Sequence, residues 1–420
     1  MEIVRENANG LTCDELKEAI LKSIEGLHPK KVLIVPPDFT RANSGAGDIT
    51  AIYYDILTAS GAEVYIIPAL GTHLPMTRSE QTAFFGERIP AGRFLVHRWR
   101  DHVAEVGVVP RSFVKEVSEG IMDEDMPVEV SKYLLDKSFD LVLSVGQVVP
   151  HEVVGMANYT KNIVVGLGGS RFINRSHMLG AFYGMERIMG RDYSPVRRVF
   201  DYAEQNFLKD IPIKYVLTVT DTVDEKVNIL GLYIGRNRSL FERAVRCSQK
   251  YNLNYVDEPI KTCVVKLDPK EFHSTWLGNK AVYRTRMAMA DGGRLIVLAA
   301  GVDKFGEDAE NDRLIRKYGY KGRENILRLV ETEDDLKANL SVAAHLIHGS
   351  SDGRFTITYA AKLLTRDEVE GVGFSYMPYD EAFSKYGGLK NGVNIVDGEE
   401  IYYIDNPALG LWAVKGAFDV

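Results

Sequence analysis

Three short stretches carry most of the side chains whose type and spacing could do chemistry. In "PPDFTRANSG" (36–45), Asp38 can accept two hydrogen bonds, and Arg41 presents a planar fork suited to a carboxylate or phosphate. An Asp-x-x-Arg turn with a surface ion pair is the ordinary alternative. "GTHLPMT" (71–77) sets His73 between a strand-end glycine and a Leu-Pro step. There a neutral imidazole can act as a general acid or base, or simply as a capping histidine. In "VVPHEVVGMANYTKNIVVGLGGSRFINRSH" (148–177), His151, Lys161 and His177 lie ten and sixteen residues apart, too far for one helix face. Burial among small residues would lower the pKa of Lys161 and make it a usable nucleophile. Singly, the three read as a core histidine, a surface lysine and a histidine just before the helical "MLGAFYGMERIM". "HRWRDH" (97–102) adds His97 and His102, but its mixed charge reads as a solvated edge.

Several familiar chemistries lack their motifs. "GLGGSR" (166–171) begins like a dinucleotide fingerprint, but Arg171 stands where the third glycine belongs. There is no GxxxxGK[ST], HExxH, paired CxxC or GxSxG, which argues against nucleotide hydrolysis, a conventional zinc site and serine hydrolysis. Cys13, Cys247 and Cys263 have no metal spacing and read as reduced thiols of a cytoplasmic protein. The N-terminus shows no signal-peptide pattern, and the longest apolar run, near 294–302, falls far short of a membrane span. A net charge of -7 leaves no basic footprint for nucleic acid. The mean hydropathy of -0.13 is that of an ordinary globular chain.

Elements must bring these residues together. Buried-strand patterns at 30–38, 62–71, 140–149, 162–169, 214–221 and 226–235 alternate with helical patterns at 13–27 and 46–62. That alternation predicts an α/β fold with mainly parallel sheets, whose ligands bind beyond the carboxyl ends of the strands. A second set begins near 260: strands at 261–268 and 292–302 flank a helix over 274–292. Helices are expected in "ENILRLVETEDDLKANL" and "TITYAAKLL", then strands in "GVGFSYMP" and "GVNIVDGE". The boundary falls at 258/259, giving α/β domains over 1–258 and 259–407.

Taken together, "DFTR" (38–41), "GTHLPMT" and the spaced His151, Lys161 and His177 resemble the nickel-dependent lactate racemase family. The similarity extends into the second domain over "LDPKEFHSTWLGNKAVYRTRMAMADGGRLIVLAAGVDKFGED" (267–308). It implies two α/β domains with the active site in the cleft between them, the second closing over the substrate and residues 408–420 returning to the first. It also implies a nickel-pincer nucleotide cofactor, nickel pyridinium-3,5-bisthiocarboxylic acid mononucleotide, attached covalently at Lys161, with His177 as the nickel ligand. His73 and His151 would be the paired acid/base residues, Arg41 would bind substrate oxygens, and Asp38 would help seat the cofactor. Nickel favours planar four-coordination with mixed sulfur and nitrogen donors, so a cofactor that brings most donors removes the need for a cysteine cluster. The reaction implied is racemisation or epimerisation of a 2-hydroxy acid by hydride transfer from C2.

The family's lactate-specific members carry a Tyr-Gln pair and a lysine three residues later, where this chain has Phe272, His273 and Trp276. Leu74 stands where arginine is frequent, and Lys280 lies one helical turn beyond the missing lysine. These departures point to a larger or sugar-type 2-hydroxy acid rather than lactate, with His273, Trp276 and Lys280 as substrate-binding residues. The partners implied are that small molecule and the proteins that make the cofactor, with no nucleic acid and no membrane. Two other readings compete: an NAD-dependent 2-hydroxyacid oxidoreductase, which the broken glycine fingerprint disfavours, and a non-catalytic nickel-cofactor binding protein.

Overall fold

Alternation of apolar side chains along short strands builds the first sheet. In β2 (Lys31–Val35), Val32 and Ile34 join one buried cluster while Leu33 and Val35 join another, as the two-residue period of a strand requires. Both faces are covered, which is why its strands read as continuous hydrophobic runs rather than alternating ones. The structure, a computed structural model, describes residues 2–223 and 226–418. The chain divides into two compact units: residues up to Leu179 with Ile188–Asn252, and Gly180–Arg187 with the chain from Leu253 onward.

The first unit contains β1 (Ile3–Glu6), β2, β3 (Glu63–Ile66), β4 (Val103–Val109), β5 (Met126–Ser131), β6 (Leu141–Gln147), β7 (Pro150–His151), β8 (Gly155–Met156), β9 (Ile213–Val223) and β10 (Lys226–Gly235). Its main sheet runs β1-β10-β9-β6-β2-β3, parallel from β9 through β3 and antiparallel where β10 meets β9 and β1. Helices Cys13–Ile24 and Ala46–Ala59 supply one buried cluster, with Thr12 and Glu15 forming a capping box that fixes where the first begins. Helices Pro195–Phe207 and Arg238–Asn252 supply the other.

The second unit has β11 (Leu253–Val256), β12 (Ile260–Leu267), β13 (Met289–Ala299), β14 (Thr356–Ala361), β15 (Ser375–Pro378), β16 (Gly392–Val396), β17 (Glu399–Ile404) and β18 (Leu411–Val414). Its sheet runs β15-β14-β13-β12-β17-β16, parallel except at the β16–β17 hairpin. The C-terminal stretch expected to return to 1–258 pairs through β18 with β11, at the end of that range, and both strands count with the second unit. Residues 419 and 420 lie outside the described residues.

Four local expectations are corrected. The β-branched run at 162–169 is no strand: residues Thr160–Val164 form a short helix. A fully buried apolar run does not distinguish strand from helix, and here Asn158 (φ 64°) and Tyr159 (φ 56°) turn the chain sharply into the helix. The helix expected from 178 begins at Ser170, so His177 sits inside it. The helix expected over 274–292 is two short ones, Thr275–Gly278 and Lys280–Thr285, after which β13 starts at Met289. "TITYAAKLL" is mostly β14, paired in parallel with β13; tertiary pairing overrides its helical look. Among the described residues no helix is long and apolar enough to cross a membrane.

Candidate active site

Parallel register places the first two site residues side by side. Beyond the paired Ile34 and Ile66, the ends of β2 and β3 touch again at Pro37 and Ala69. Asp38 follows on one and His73 on the other. Asp38 is 5% exposed and caps the 3-10 helix Phe39–Ser44, accepting from the Thr40 backbone N–H at 3.1 Å and the Thr40 hydroxyl at 2.5 Å. Its other oxygen lies 2.6 Å from His73 Nδ1. Burial pushes the Asp38 carboxyl up, but the His73 hydrogen bond and charge, Thr40 and the Arg41 charge together hold it below its ordinary value. An ionised Asp38 accepts from Nδ1–H, which leaves the Nε2 lone pair of His73 as a base. The His73 ring is 58% exposed, so a ligand can reach it.

His151 is held the opposite way. It lies in β7, whose hairpin with β8 pairs His151 with Gly155. The Val153 N–H donates to its Nδ1 at 3.1 Å, so the neutral ring carries its hydrogen on Nε2. Burial drives its pKa well below the usual histidine value, with the charges of Lys161, Arg41 and His177 adding to the effect and Glu152 opposing it. Glu152 Oε2 stands 3.8 Å from Nδ1.

Lys161 is the second residue of its helix. Asn162 anchors that helix to the sheet by donating to the Val35 carbonyl and the Ser144 hydroxyl, each at 3.0 Å. Burial and the nearby Arg41 lower the Lys161 pKa to about 8, within reach of an uncharged, nucleophilic amine. Neither Lys161 nor Arg41 forms a side-chain ion pair among the described residues. The charge of Arg41 nevertheless acts on Asp38, His151 and Lys161 alike. A cationic pair beside histidines kept neutral is a site for an anion.

His177 donates Nδ1–H to the Ile173 carbonyl at 2.7 Å, four residues back on its own helix. That bond fixes the tautomer with Nε2 free for a metal. Burial lowers its pKa to about 4, so the ligand form needs no proton removed at neutral pH. Among the described residues no group of three His, Cys, Asp or Glu side chains could hold a metal ion. One available imidazole and one unpaired lysine amine therefore suit a metal that arrives with its own donors.

The glycine-rich turn serves packing. A Cβ on Gly166 would run into the Asn162 carbonyl and lie 2.6 Å from Ala69 Cβ, and its carbonyl accepts from Gly71 N–H at 2.9 Å. The turn thereby ties the Lys161 helix to the His73 loop. His97 corrects the reading of 97–102 as a solvated edge: it is 2% exposed and donates Nε2–H to the Gly168 carbonyl at 2.9 Å. Arg171 is spent on Glu129 and Glu105.

The second unit carries the remaining candidates. Phe272 is fully buried core, while His273 is exposed and Trp276 half-buried. The Trp276 indole stacks on His345 at 4.3 Å between centroids, and Tyr320 Oη meets His345 Nε2 at 2.9 Å. Lys280 lies 3.7 Å from Glu271 and 5.4 Å from the Phe272 ring centroid. Sequence reasoning missed Thr40, Glu152, Asn162 and His345. Only Thr40, two residues after an Asp in a turn pattern, left a local signal.

These features define an α/β protein with two mainly parallel sheets and, in its first unit, Asp38 paired with His73 and buried His151, Lys161 and His177. Residues 9–188 match the lactate racemase N-terminal domain family. Over those residues the chain carries a domain of the lactate racemase N-terminal type. A crystal structure of a protein from Thermotoga maritima superposes with a TM-score of 0.82 at 25% identity, covering 98% of this chain and 100% of that one. The lactate racemase apoprotein from Thermoanaerobacterium thermosaccharolyticum has the same fold, with a TM-score of 0.69 at 18% identity, 94% of this chain and 88% of that one. No curated protein matches the chain by sequence.

Proposed function

We propose that the protein is a cytoplasmic racemase or epimerase of a 2-hydroxy acid larger than lactate, working with a nickel-pincer nucleotide tethered at Lys161. The observation that carries this reading is that each ring is held through Nδ1, His73 by Asp38, His151 by the Val153 N–H and His177 by the Ile173 carbonyl, which leaves the three Nε2 atoms for a ligand. Lys161 and His177 would hold the cofactor, which when bound supplies a carbon able to accept and return the C2 hydride. Arg41 binds the substrate carboxylate and orients it. His73 takes the hydroxyl proton as the C2–H bond breaks, and Asp38 stabilises the imidazolium that results. His151 donates Nε2–H to the substrate oxygen, and it serves as base only after its hydrogen moves. Asp38, given above as a cofactor-seating residue, has its oxygens engaged by His73 and Thr40, so its role is to orient His73. His273, Trp276 and Lys280 are assigned to substrate recognition on the resemblance, and the departures at Phe272, His273 and Trp276 from the lactate pattern support a substrate other than lactate.

The test uses loaded enzyme, lactate and a longer 2-hydroxy acid such as an aldonate, each deuterated at C2. Expected is interconversion of the longer substrate with the label kept at C2 and no net ketoacid. Loss of the label to solvent would overturn hydride transfer, net ketoacid would favour an oxidoreductase, and turnover of lactate alone would overturn the size argument.

A further inference from the structure

The first unit has a second charged cavity, of about 220 Å³, whose walls include Arg197, Arg198, Arg238, Asp192, Asp201 and Tyr193. Arg197 is 0% exposed. Its Nη1 donates to the Thr160 hydroxyl at 2.7 Å, and its Nη2 to the Met156 and Asn158 carbonyls at 2.6 and 3.1 Å. Its Nε is buried with no partner. Arg238 repeats the pattern: Nε pairs with Asp201 at 3.0 Å and Nη2 donates to the Asp192 carbonyl at 2.9 Å, but its buried Nη1 has no partner. The acids of the lining do not pair with these donors. Asp201 already accepts from the Thr160 hydroxyl at 2.7 Å as well as from Arg238, and Asp192 reaches Arg238 only at 3.5 Å.

Buried N–H groups on a guanidinium demand acceptors, and leaving them unmet is costly. Three arginines against two aspartates leave the lining positive, and its buried side-chain atoms without a partner are guanidinium donors. A metal cation is repelled by such a lining, while a cavity this small excludes a nucleotide-sized ligand. We propose that it binds a small oxyanion, an inorganic phosphate or a short carboxylate, at a site separate from Arg41 and Lys161. Arg197 would then grip the anion with one edge and, with the other, the Met156–Thr160 segment that leads directly to Lys161.

Calorimetry on the full-length apoprotein at constant ionic strength tests this, with inorganic phosphate and acetate titrated separately to distinguish the two sources. Saturable binding of one of them is expected, weakened about tenfold or more in Arg238→Lys and in Arg198→Ser and unchanged in Arg41→Gln. Among the described residues Arg198 forms its ion pair with the exposed Glu116 at 3.1 Å, so Arg198→Ser reads the site even if Arg238→Lys fails to fold. No saturable binding of either anion, or binding lost in Arg41→Gln and retained in Arg198→Ser, would overturn the proposal.

Discussion

At the scale of single residues, the pairing of Asp38 with His73 decides which histidine can start a proton transfer. Asp38→Asn is expected to fold and to lower kcat by about 10²–10⁴, the range for losing an oriented general base. Because Asp38 acts through His73, the double variant with His73→Ala should be no slower than His73→Ala alone. Chiral chromatography of the product measures both, and additive losses would contradict the pairing. His97 gives a prediction about pH. Burial pushes its pKa to about 4, so the unfolded chain takes up a proton near the usual value while the fold resists until about pH 4. Stability should therefore fall as pH drops from about 6.5 to 4. His97→Gln should have a lower Tm at pH 7 but a flatter decline across that window, read by thermal unfolding. The reactive residue types were legible in the sequence, whereas their partners were not. The Asp38–His73 contact depends on the register of two strands 32 residues apart, and His151's tautomer on a single backbone N–H.

At the scale of elements, the turn after Lys161 couples chemistry to packing. Gly166→Ala would press a methyl group against the Asn162 carbonyl and Ala69. A cost of roughly 1–3 kcal/mol is expected from such overpacking, measurable by urea unfolding, together with displacement of the His73 loop held through Gly71. Wild-type stability in the variant would contradict the close approach. The same segment marks where periodicity fails. "NIVVGLGG" is as apolar as a central strand, and nothing in its pattern announces the two positive-φ residues that make it a helix. The strands of the main sheets were readable because their two faces are both buried and their ends carry Pro, Gly or polar residues.

At the scale of the whole molecule, two units with their own sheets were legible from the second set of strands near 260. The division between the units lies at Asn252/Leu253, where the short β11 joins β18 from the far end of the chain. Among the described residues no cluster of His, Cys, Asp or Glu supplies enough donors to hold nickel unaided. Nickel alone, titrated into the apoprotein, is expected to show no tight stoichiometric binding, and one tight equivalent lost in His177→Ala would contradict that view. The proposed role of the His73, His151, Lys161 and His177 cluster is to tether and operate a metal-bearing nucleotide. Mass spectrometry of active protein purified from its native source tests it most directly. A mononucleotide-sized adduct on the peptide containing Lys161, with one nickel per chain, is expected; active enzyme with Lys161 unmodified would contradict the tether.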